Sequence, residues 1–109
     1  MDRRCNERIA ASVPFDVYCR GDRLGQFRTR DLSQESLFLE TRSGERLGGE
    51  ILELRFRIDG KVHCLRGIVA HQVEGQGVDI QLAYWRVGDR QAHQAYVHLY
   101  KSSRLHIAA

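Results

Sequence analysis

"EILELRFRIDGKVHCLRGIVAHQV", residues 50–73, carries the alternation on which the fold rests. Leu52, Leu54, Phe56 and Ile58 fall on one side of the first run, and Glu53, Arg55 and Arg57 on the other. Successive side chains of an extended strand point to opposite faces, so this period of two describes a strand with one face in a core and one in water. Asp59-Gly60 follows at once, a pair that tolerates the positive φ of a two-residue hairpin turn. Residues 61–73 then return as the partner strand, and Gly67 falls at a change of apolar parity, which predicts a bulge.

The same pattern extends outward from this hairpin. From Ile9 to Cys19 the residues Val13, Phe15, Val17 and Cys19 alternate with Ser12, Pro14, Asp16 and Tyr18, which predicts one strand. Pro14 has no amide hydrogen to give to a ladder, so that strand belongs at an edge or a barrel rim. "CRGDRLG" (19–25) reads as a Gly-rich hairpin that returns through "QFRTRDLS" to a short apolar strand at "LFLE". "TRSGERLGG" is a loop, and "EGQG" turns the chain into "VDIQL". After Gly88 the period changes. Asp89 can cap a helix on which Ala92, Ala95, Tyr96 and Leu99 share a face, so the spacing predicts a helix from about Asp89 to Lys101. Short strands with regular turns protect their edges by closing up. The expected fold is all-β, a six-stranded antiparallel β-barrel with a C-terminal α-helix flanking or plugging one end.

With 109 residues, 42% hydrophobic and 28% charged, the chain has material for one modest core. Residues 1–8 read as a flexible arginine arm and 9–109 as a single barrel domain with its helix. The net charge is +3, and of the basic residues only Lys61 and Lys101 are lysine. That preference for arginine suits forked recognition of phosphates or base edges better than diffuse charge neutralisation, for which lysine would serve equally well, the alternative being genome composition.

Several function classes are set aside by what the chain lacks. Cys5, Cys19 and Cys64 are odd in number, with no C-x-x-C pair and no secretory apolar segment before them, which points to a reduced cytoplasm. No apolar run approaches the length of a membrane span, so no membrane insertion is expected. His63, His71, His93, His98 and His106 show no metal-ligand spacing, so they are expected to be scattered surface or partly packed residues, and no metal is expected. "GQG" sits in a hairpin and does not open a helix, so it is a turn and not a phosphate loop. No G-x-S-x-G elbow or paired carboxylates appear, so no catalytic residue is assigned and the chain is not expected to be an enzyme. Phe27, Phe38, Phe56, Tyr84 and Trp85 lie mostly at apolar strand positions and read as core, so nucleic acid is not an expected partner.

Two stretches remain: "RCNER" (4–8), with Arg4 and Arg8, and "RDLSQESLFL" (30–39). Asp31 and Ser33 are two apart and face one side if this end of the strand is extended. A carboxylate can accept from both N1–H and N2–H₂ of guanine, and arginine can fork to O6 and N7 or stack on the ring. A serine hydroxyl can reach a phosphate oxygen or a base edge. Equally, Asp31 and Ser33 could bond their own backbone in a turn, with the arginines a solvated tail.

Taken together, R-x-x-x-R before the first strand, D-x-S at the second-to-third strand junction, the "GVDIQL" last strand and the closing helix resemble the PilZ domain family of bacterial cyclic di-GMP receptors. The resemblance spans nearly the whole chain. It implies a six-stranded barrel whose arginine arm folds over a cyclic dinucleotide held on the outer face. Arg4 and Arg8 then take the two arginine positions, and Asp31 and Ser33 the acidic and serine positions. Arg3 would touch a second bound dinucleotide. Ser36 stands where the family pattern has glycine, a difference that matters if the position needs positive φ or close approach of the backbone to the ligand. The resemblance implies no cofactor apart from the ligand, cyclic di-GMP. It further implies a receptor that signals to an unidentified downstream protein in motility, surface attachment and biofilm formation, or polysaccharide export. The alternatives are an adaptor of the same fold that does not bind the dinucleotide and a barrel that binds single-stranded nucleic acid.

Overall fold

The alternation in residues 51–58 becomes β5 (Ile51–Ile58), with Leu52, Leu54 and Phe56 buried. This computed structural model describes residues 7–41, 46–84, 86, 88–95 and 97–98. Asp59 and Gly60 take φ of 51° and 78°, and the chain returns as β6 (Lys61–Val73) in register from Ile58↔Lys61 to Ile51↔Ile68. The remaining strands are β1 (Ile9–Ala10), β2 (Pro14–Cys19), β3 (Asp22–Leu32), β4 (Ser36–Glu40) and β7 (Gly77–Tyr84). They run in the order β1-β3-β2-β5-β6-β7-β4, and β4 pairs back onto β3. Six antiparallel strands, β2 to β7, therefore form a closed barrel, with the two-residue β1 laid against the end of β3. Closure leaves no long free edge to template aggregation.

The run from Ile9 to Cys19 is not one strand, as the alternation predicts, but two. The break falls at residues 11–13, and Thr29, 1% exposed, stitches it. Its hydroxyl donates to Ala11 O at 2.6 Å and accepts from Val13 N at 3.0 Å, and its amide donates to Val13 O. The interruption lets the entering chain bend along the rim while its buried polar groups stay satisfied. Pro14 opens β2 next to this bend, beyond the β5 pairing that starts at Asp16, so its missing donor costs no ladder bond there.

At Gly67 the pairing of β6 with β7 shifts register. A Cβ there would lie 2.4 Å from Ile80 Cγ2 and 2.9 Å from Gln81 O, so only glycine lets the two strands close this tightly. The inward parity of β6 does not change, however: Leu65, Gly67 and Val69 all face in, and Ile68 faces out at 36% exposure. Inside the barrel Phe15 meets Phe56 edge-on at 5.5 Å, packed among Val17, Leu37, Leu54 and Ile80. Burial of each such side chain contributes about 1.5–3 kcal/mol.

The helix α1 covers the described residues 88–95 and 97–98. Asp89 is not its cap but lies inside the first turn, where its carboxylate meets His63 Nδ1 at 3.0 Å and ties α1 to β6. The buried face is also not quite the one expected. His93 and Val97, one turn apart, are buried, Ala92 is half-buried and Ala95 is exposed. Tyr96, Leu99 and Lys101 lie outside the described residues, as do Trp85 and the side chain of Tyr84.

Candidate ligand site on the outer face of the barrel

The β3–β4 junction is built around Ser33. β3 ends at Leu32, so Ser33 does not continue the strand beside Asp31 as an extended chain would have it; the residue is wholly buried. Its hydroxyl accepts from the amides of Ser36 (3.0 Å) and Glu35 (3.3 Å) and lies 3.1 Å from Ser36 Oγ. This is the turn chemistry of a serine bonding its own neighbourhood. Glu35 O accepts from Leu82 N (2.8 Å) and Gln81 Nε2 (3.2 Å), which pins the turn to β7. From the other side His93 Nε2–H donates to Ser33 O at 2.9 Å. Burial holds the His93 pKa below its ordinary value, against the pull of this hydrogen bond, and so favours the neutral ring. A histidine read from sequence as surface or partly packed is thus a buried strut under the turn, because the helix face that packs is centred on position 93.

Asp31 keeps its strand position and faces outward. Register places Asp31 opposite Phe38 and Phe38 opposite Asp79, so three strands present one row across the barrel wall. Arg8 spans the row. Its Nη1 donates to Asp31 Oδ1 at 3.0 Å, while Nη2 donates to Ser36 Oγ at 3.1 Å and to Asp79 Oδ1. Partial burial lowers the Arg8 pKa, but the hydrogen bonds and charges of Asp79 and Asp31 outweigh it and leave the net shift upward. Arg30, at the β3 bulge, donates from Nε to the other Asp31 oxygen at 3.1 Å and lays its guanidinium 3.8 Å above the Phe38 ring.

Of the residues singled out from sequence, Arg8, Asp31 and Ser36 therefore meet on the outer face, and Ser33 lies behind them as the turn's anchor. Arg3 and Arg4 lie outside the described residues. Ser36 opens β4 without positive φ, since Arg20 and Asp59 are the non-glycine residues with that conformation among those described. Serine is unstrained here. Asp79, Arg30 and the outward placement of Phe38 were not read from the sequence. For Phe38 a signal existed: Leu37, Phe38 and Leu39 are consecutive, so strand parity must turn one phase outward. For Asp79 there was none, because only the β4–β7 register brings it to Arg8. No group of three or more His, Cys, Asp or Glu side chains able to hold a metal occurs among the described residues. No helix among them is long and apolar enough to cross a membrane.

The structure is thus a closed six-stranded barrel with a polar, arginine-bridged cluster on its outer wall. The PilZ domain model matches residues 2–100, and the chain belongs to that family, whose domains are ligand-binding receptors of cyclic di-GMP and not enzymes. Among solved structures it is similar in fold to the PilZ domain of CeSA from a cellulose-synthesizing bacterium. The TM-score is 0.71 at 20% identity, with 87% of this chain and 98% of that one covered. Comparison with curated proteins finds no match.

Proposed function

We propose that this chain binds cyclic di-GMP at the Arg8–Asp31 cluster and passes the resulting change in its N-terminal arm to a downstream protein. The observation that carries the reading is the convergence of Arg8, from before the first strand, on Asp31 and Ser36 of the D-x-S-x-x-S turn. The Asp31 carboxylate is paired with Arg8 and Arg30. A guanine offering N1–H and N2–H₂ supplies the same kind of donors, and Arg8, once released, can fork to O6 and N7 or stack on the base. Ligand and arm thus exchange partners, and the arm's position reports occupancy. By the family resemblance Arg4 takes the other arginine position for the ligand, and Arg3 serves a second dinucleotide. Ser33 holds the turn that aims Asp31. The setting we infer is the cytoplasm, without membrane insertion, in control of motility, attachment or polysaccharide export.

Titration calorimetry with cyclic di-GMP, against GTP and cyclic di-AMP, tests this. Saturable binding of cyclic di-GMP alone is the expected result. No heat and no change in thermal midpoint would leave the chain as a PilZ-fold adaptor without the ligand.

A further inference from the structure

Beside the Arg8–Asp31 cluster, a second concavity of about 200 Å³ is lined by Arg30, Phe38, Glu40, Gly75 and Gln76. It lies one outward step further along β4, since Phe38 and Glu40 share the outer face of that strand. Two residues of strand span roughly 7 Å, so the concavity adjoins Asp31 without overlapping it. Its walls combine two kinds of chemistry. Phe38, only 3% exposed, cannot be reached directly, but the Arg30 guanidinium that covers it is itself about half exposed and flat on the ring. That leaves the outer face of the guanidinium open as a stacking surface for a planar ring.

Opposite this surface stands Glu40. Its cross-strand partner Arg28 is turned away, donating from Nε to Ser12 Oγ at 2.7 Å and from Nη2 to Ser12 O at 3.3 Å. The Glu40 carboxylate consequently forms no ion pair with any described residue. A carboxylate without an ion-pair partner among the described residues, at the edge of a stacking platform, is the acceptor that guanine's N1–H and N2–H₂ require, and adenine, whose Watson–Crick edge presents an acceptor at N1, does not satisfy it. The Gln76 amide, in the turn before β7, borders the same space.

We propose that Arg30, seated on Phe38, and Glu40 form a second guanine subsite that takes the other base of the dinucleotide bound at Arg8 and Asp31. This rests on the binding reading above. Arg30 then acts at both subsites, orienting Asp31 through Nε and stacking the second base with its face. With a carboxylate at each end, the site reads both purines and not one.

The experiment compares cyclic di-GMP with cyclic GMP–AMP, which carries one guanine and one adenine, on the full chain and on Glu40→Gln and Arg30→Ala. The full chain should bind the mixed dinucleotide roughly ten- to a hundredfold more weakly than cyclic di-GMP. Glu40→Gln should lose about tenfold or more for cyclic di-GMP and shrink the gap between the two ligands to within a few-fold. Arg30→Ala should weaken both ligands together, and Arg30→Lys should rescue poorly because an ammonium offers no flat face. Thermal midpoints of the variants check that each remains folded. If the full chain binds cyclic di-GMP while Glu40→Gln keeps both its affinity and its discrimination, the second subsite is wrong and the receptor reading stands. If the full chain binds neither dinucleotide, both fall.

Discussion

Arg8 and Asp79, 71 residues apart in the chain, are joined guanidinium to carboxylate across the barrel wall, and the same guanidinium holds Asp31. Arg8 thereby bridges β3 and β7. Partly exposed ion pairs of this kind stabilise by about 0.2–1 kcal/mol, enough to bias the placement of Arg8 without locking it.

Asp79→Asn removes one side of that bridge and leaves Asp31 in place. Ligand binding no longer has to break the pair, so cyclic di-GMP affinity should rise by up to about fivefold, the equivalent of 1 kcal/mol. Calorimetry reads this directly. A loss of more than tenfold would show that Asp79 contacts the ligand itself.

Arg8→Ala should separate binding from folding. The three contacts it deletes are at the surface, so the free protein should lose no more than about 1 kcal/mol in denaturant unfolding. Cyclic di-GMP binding should weaken by about 1–3 kcal/mol, the worth of a forked or stacked arginine contact. A large stability loss with unchanged affinity would make Arg8 a structural clasp only.

Ser36→Gly restores the family residue at a position that does not need positive φ. The change gives up the Arg8 and Ser33 contacts of Ser36 Oγ and frees the unfolded chain, costing about 0.5–1 kcal/mol of stability. Affinity should move by less than about fivefold. A gain beyond tenfold would mean that the serine side chain obstructs the ligand.

His93 couples the turn to pH. Its folded pKa lies below the ordinary 6.5 because it is buried, so the unfolded chain takes up a proton more readily. The stability this neutral ring contributes is complete above about pH 6.5 and is lost as pH falls from there through the lowered folded value. His93→Gln, which can still donate to Ser33 O but does not titrate, should flatten the dependence of the unfolding midpoint between pH 7 and 5. An unchanged slope would assign it to other groups.

Thr29→Val keeps the shape of the side chain and removes its hydroxyl. Val13 N and Ala11 O then lose their partner in the bend between β1 and β2, a cost of about 1–3 kcal/mol in denaturant unfolding. A variant as stable as the parent would mean that water reaches the bend.

What consecutive residues record was legible without coordinates. The alternation of Leu52, Leu54 and Phe56 identifies β5, and Asp59-Gly60 identifies its turn, because side-chain direction and φ are properties of a few neighbouring residues. The D-x-S stretch and the arginine before the first strand were legible for the same reason, and they marked where β3 gives way to β4. Tertiary structure alone decided the rest. It broke the run from Ile9 to Cys19 at the bend Thr29 secures, turned Ser33 inward beneath the site, and buried His93 under Ser33 O. It also set Asp79 against Arg8 and cleared Glu40 by drawing Arg28 to Ser12. Each of these depends on which strand lies beside which and in what register. A sequence with a period of two does not encode that choice, because closing the barrel settles it through contacts between residues far apart in the chain.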